Sequence, residues 1–89
     1  MVRNNILETQ ALRAWNKGYD GGAIDPEETA FAYFMLGRGK RGRVADLRER
    51  YPKAWDRAMR LWNSEHFLDG AISPEDNAIR FYIAGRRSR

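Results

Sequence analysis

A chain of 89 residues has room for one compact domain with one modest core, which excludes a second domain. It contains no cysteine, which removes disulfides and cysteine zinc sites and suits a reducing, cytoplasmic setting. The longest apolar run, Ala30 to Leu36, is far short of the roughly 20 residues a membrane span requires, and no secretory apolar stretch is evident near the N-terminus. A soluble chain with no membrane partner is expected.

In chain order, the spacing of Leu7, Ala11, Ala14 and Trp15 predicts a helix over 5–17, ended by Gly18, Gly21 and Gly22. A second helix, 26–37, has an explicit start: Asp25 as N-cap, Pro26 in the first helical position, and Glu27 and Glu28 at the positive end of the dipole. Its apolar character all round marks it as buried. A short helix over 44–50 follows, with Val44, Leu47 and Tyr51 on one stripe, and Pro52 breaks it. The next, 53–64, is strongly amphipathic: Trp55, Ala58, Met59 and Trp62 share one side, and Lys53, Arg57 and Arg60 the other. Ser73-Pro74-Glu75-Asp76 repeats the helix-start device, opening a last apolar helix over 74–86. No segment alternates with the period of a strand. The fold class is therefore all-α with five short helices.

The chain also says nearly the same thing twice. Ala11, Arg13, Trp15 and Asn16 return as Ala58, Arg60, Trp62 and Asn63, and Gly22-Ala23-Ile24, Pro26-Glu27, Ala30 and Gly37-Arg38 return as Gly70-Ala71-Ile72, Pro74-Glu75, Ala78 and Gly85-Arg86. One domain, 1–89, then consists of two duplicated helix-loop-helix hairpins, about 5–38 and about 52–86. They are joined by a short basic linker at 39–51 with its helix and followed by a basic tail at 86–89. Two such units cannot bury their apolar faces alone and should pack with pseudo-two-fold symmetry. The two buried helices form the central pair, Trp15 and Trp62 anchor the core near the axis, and Ile24 and Ile72 plug it beneath the loops.

Charge is uneven. Residues 1–37 sum to −2, 38–60 to +6, 61–85 to −3 and 86–89 to +3, within a net charge of +4. Cations focused in this way favour a polyanionic partner. Gly37-Arg38-Gly39-Lys40-Arg41-Gly42-Arg43 has a formal dinucleotide-loop spacing, but it follows a buried helix and not a strand, so that reading fails. What remains is a flexible loop whose Arg38, Lys40, Arg41 and Arg43 suit phosphate contact, against the plainer reading of a helix end with a solvated connector. Arg50, Lys53, Arg57 and Arg60 would extend the surface, and Arg86, Arg87 and Arg89 would form a second anchor, a pair of patches suited to two-fold duplex DNA.

The remaining chemistry is sparse. The Asp69 to Asp76 loop superficially resembles half of a calcium loop, but the first ligand positions would fall on Glu65 and Phe67, so no metal is expected. His66 has no nucleophile in a recognisable arrangement, so neither an enzyme nor a cofactor is expected. The sequence thus predicts a small, regulatory nucleic-acid-binding protein, DNA before RNA, acting as monomer or homodimer. The alternative is an interaction module or inhibitor that offers its basic face to an acidic protein.

Overall fold

A computed structural model describes residues 5–88. Among these, all regular structure is helical: α1 (Asn5–Asn16), α2 (Pro26–Gly37), α3 (Val44–Arg50), α4 (Pro52–Trp62) and α5 (Pro74–Arg87). The expected boundaries hold to within two residues, with α4 starting on Pro52 itself.

The starts of α2 and α5 are chemically explicit. The Asp25 carboxylate accepts the Glu28 amide at 2.8 Å, while the Glu28 carboxylate accepts the Ile24 amide at 3.0 Å. Ser73 and Asp76 do the same for α5, at 3.2 Å from the Asp76 amide and 3.1 Å from the Ile72 amide. Each reciprocal pair satisfies two amides that have no intrahelical acceptor, so both starts are fixed locally, before any tertiary packing.

α2 and α5 form the centre. Residues Ala30 to Met35 and Gly37 of α2 are buried, as are Ala78, Phe81, Tyr82 and Gly85 along one stripe of α5. The first turns of both helices line one common groove, and both last turns meet at Gly37 and Gly85, so the pair runs side by side in the same direction. The approach is close enough to require glycine: a β-carbon at Gly37 would overlap the Tyr82 carbonyl oxygen, and one at Gly85 would overlap that of Phe34. α1 lies along α5, and α4 along α2. The two helices of each expected hairpin are therefore not each other's main partners, because α2 and α5 bury one another and leave their flanks to α4 and α1 respectively.

Aromatic side chains fill the remaining space. Tyr33 takes Trp15 at 6.0 Å and Tyr19 edge-on at 5.8 Å, while Phe81 takes Trp62 at 6.2 Å and Phe67 edge-on at 4.9 Å. Trp15 and Trp62 are half-buried against the core, as anchors should be. The buried Tyr33 hydroxyl donates to the Tyr19 carbonyl at 2.8 Å. Its pKa is pushed up to about 12, first by burial and then by Tyr19 and Asp20, with Arg41 opposing.

Two expectations are corrected. Ile24 and Ile72 do not plug the core: they are 87% and 92% exposed. Each lies just before its helix cap, where the backbone amide turns in toward the capping carboxylate and the side chain projects into solvent. Nor is the Gly/Arg loop a free connector. The Tyr19 hydroxyl donates to the Gly42 carbonyl and accepts from the Gly42 amide, both at 3.3 Å, and the Val44 amide donates to the Gly21 carbonyl at 2.8 Å. These bonds tie the loop to the α1–α2 connection.

Candidate functional site

The cations predicted to act together fall into three groups. Arg38 and Lys40, leaving α2, converge with Arg50, Lys53, Arg57 and Arg60 on an open groove of about 740 Å³ between the end of α2 and the face of α4. α4 is held there by Ala54 and Ala58, its buried residues, with Ala54 bordering the groove. Lys53, Arg57 and Arg60 then follow at helical spacing along the rim.

The groove has an apolar floor and charged walls. Met35, Tyr51, Pro52 and Ala54 line it together with the six cations, and Asp56 is its one carboxylate. The Lys40 ammonium sits 5.6 Å from the Tyr51 ring centroid, and the Arg38 guanidinium 5.7 Å from that of Phe34, so the aromatic faces help hold both cations. Among the described residues, carboxylates within ion-pairing distance are found only at His66, which faces Asp69 at 3.0 Å and Glu65 at 4.0 Å. The cations of the groove are thus not neutralised by direct pairing. Charges of one sign gathered over a low-dielectric floor focus potential outward.

Arg41 and Arg43 turn the other way. Arg41 stacks on Tyr19 at 4.8 Å, and the Arg43 guanidinium lies over Gly22. Both are exposed, but the strap between Tyr19 and Gly42 fixes them on the α1–α2 side of the loop. Arg86 and Arg87, at the exposed end of α5, form a third group: the Arg86 amide abuts Gly37, yet neither side chain lines the groove. Arg89 lies outside the described residues.

Sequence reasoning missed Tyr51 and Met35 as groove residues, because their apolar character accounts equally well for core packing. It also missed Arg48, whose guanidinium stacks 3.8 Å from the Trp55 ring and is engaged on α4's flank. On α1, the shallow cleft lined by Ile6, Thr9, Gln10 and Arg13 carries a single cation. A neighbouring cleft adds Lys17, so among the described residues no groove on that side gathers as many cations. None of the described helices is long and apolar enough to cross a membrane.

Comparison with protein-family models, with curated proteins and with solved structures finds no match to this chain.

Proposed function

We propose that this chain binds nucleic acid, duplex DNA in the first instance, by seating backbone phosphates in the groove of Arg38, Lys40, Arg50, Lys53, Arg57 and Arg60. The observation that carries the reading is the convergence of six cations, none in an ion pair, on one groove with a single carboxylate. Such a surface gains affinity by releasing condensed counterions and reads backbone, not sequence. The cysteine-free composition fits a cytoplasmic, reducing setting.

The same reading takes the two halves as copies of one unit related by a pseudo-two-fold axis between α2 and α5. Several pairs at equivalent positions support it. Gly37 abuts Tyr82 as Gly85 abuts Phe34; Tyr33 takes Trp15 and Tyr19 as Phe81 takes Trp62 and Phe67; and the two capping pairs match. The copies differ in charge. Among the described residues, Ile6 and Gln10 of α1 stand where α4 has Lys53 and Arg57, so the binding surface forms on the α4 side, where Arg38 of the first copy and Lys40 and Arg50 of the linker join it, and engages one stretch of backbone, not two symmetric half-sites.

Binding to a random-sequence duplex, followed as salt rises, tests this. With five or six phosphates engaged, the logarithm of affinity should fall against the logarithm of salt with a slope of about −5. Lys53→Ala/Arg57→Ala/Arg60→Ala should reduce that slope by about 3. Absence of binding at low salt, or a triple variant that binds like wild type, rejects the reading. A second reading, an acidic protein partner, is favoured by the floor of Met35, Tyr51, Pro52 and Ala54, which offers an apolar surface that a phosphate backbone does not use.

A further inference from the structure

Ile24 and Ile72 stand 87% and 92% exposed at the opposite end of the central helix pair from Gly37 and Gly85. They do not serve the core, and they do not serve as local staples. An apolar residue just before an N-cap ordinarily packs on the fourth helical residue, but that residue is Thr29 in α2 and Asn77 in α5. Between the two isoleucines runs a groove of about 570 Å³ floored in part by Pro26 and Pro74. The first turns around it carry Glu27, Glu28, Glu75 and Asp76. Asp25 also lines the groove, and Arg43 over Gly22 and Arg80 beside Gly70 are cations at its edges, so this pole is two apolar knobs around which carboxylates outnumber cations.

Its complement is a surface with an apolar floor inside a cationic surround. The cationic groove between α2 and α4 has that composition. Pairing two acidic poles would set like charges against each other, whereas pole against groove joins opposite charges and apolar to apolar. Within one molecule the two cannot meet: Ile24 precedes α2 and Arg38 follows it, a separation of roughly 18 Å along a helix of that length. Contact must be between molecules, and because it joins different surfaces it repeats.

We infer that this chain associates head to tail with further copies of itself, the Ile24/Ile72 pole of one molecule seated in the cationic groove of the next. The inference uses the groove's shape and charge but not its nucleic-acid reading. Small interfaces of this kind are weak and transient, so assembly belongs to high protein concentration, and nucleic acid should compete with it for the groove.

Sedimentation equilibrium at low salt tests the inference, with two variants that each remove one side. The average mass of the wild type should rise with concentration and fall back as salt increases. Ile24→Ser/Ile72→Ser and Lys53→Ala/Arg57→Ala/Arg60→Ala should each weaken association at least about tenfold. Mixed in equal amounts, they should form a one-to-one heterodimer, since the first retains its groove and the second its pole. A wild type that stays monomeric, an association that strengthens with salt as like-to-like apolar pairing would, or a mixture that stays monomeric overturns the inference. Duplex binding by Ile24→Ser/Ile72→Ser separates the two readings of the groove. That variant should bind DNA as wild type does, and a wild type that assembles as described yet binds no duplex at low salt would count against the nucleic-acid reading alone.

Discussion

The backbone of Gly85 lies so close to the carbonyl of Phe34 that only a hydrogen fits between the α-carbon and that oxygen. The obstacle is main chain, fixed by the ladder of α2, so a side chain cannot turn aside to relieve it. Gly85→Ala should therefore destabilise the fold by about 3 kcal/mol or more, even though alanine favours helix over glycine by about 1 kcal/mol. Gly42→Ala is the contrasting case. A β-carbon there would make ordinary contacts with the Leu47 side chain, and its backbone is not left-handed, so stability should change by less than about 1 kcal/mol. Urea unfolding of both variants checks the pair, and a tolerated Gly85→Ala would mean that α2 and α5 do not approach this closely.

Stability should fall in alkali through Tyr33. Its hydroxyl ionises near 10 in the unfolded chain and at about 12 in the fold, so the folded state favours the neutral form. The contribution is whole below pH 10, declines as pH rises from 10, and is gone above 12, a loss of up to about 2 to 3 kcal/mol. Tyr33→Phe should abolish that portion of the pH dependence. At neutral pH it should cost about 1 to 2 kcal/mol, because the Tyr19 carbonyl loses its donor. The difference between wild-type and variant unfolding from pH 8 to 12 measures both effects, and parallel curves would show that Tyr33 does not titrate late.

The order of the Gly/Arg loop should depend on one hydroxyl. Tyr19→Phe keeps the ring on which Arg41 stacks and the edge contact with Tyr33, but removes both bonds to Gly42. Amide exchange at Gly42 should accelerate about fivefold, matching the loss of roughly 1 kcal/mol of local protection. Unchanged exchange would mean that the Val44 bond to Gly21 holds the loop by itself.

These features were not equally legible in the sequence. Asp25-Pro26-Glu27-Glu28 and Ser73-Pro74-Glu75-Asp76 declare their helices because a cap is satisfied within four residues. The glycines at 37 and 85 were visible as equivalents, but nothing local says that each faces the other helix's carbonyl. Ile24 and Ile72 were misread because composition alone cannot separate a core plug from an exposed knob. The Tyr19 strap joins residues 23 apart, so the loop's glycines suggested a freedom that tertiary bonds remove. The groove was half legible. The basic stripe of α4 follows from helical period, but its meeting with Arg38 and Lys40, and the exclusion of Arg41 and Arg43, depend on α4 lying along α2.

That division gives a sharp expectation for the arginines. A sequence view treats Lys40, Arg41 and Arg43 as one loop motif, so removing all three should weaken polyanion binding as a block. The geometry instead separates Lys40, over Tyr51 in the groove, from Arg41, over Tyr19, and Arg43, over Gly22. Arg41→Ala/Arg43→Ala should therefore leave the salt slope of duplex binding nearly unchanged, with at most a modest loss through the general field, while Arg57→Ala/Arg60→Ala should lower the slope by about 2. All four side chains are exposed, so neither double variant should shift stability by more than about 0.5 kcal/mol per residue. Fluorescence titration of a labelled duplex at several salt concentrations distinguishes the outcomes. A larger change in slope for the Arg41/Arg43 pair would move the contact surface to the α1–α2 side of the loop, because the slope counts phosphates neutralised and charge remote from the contact does not alter that count.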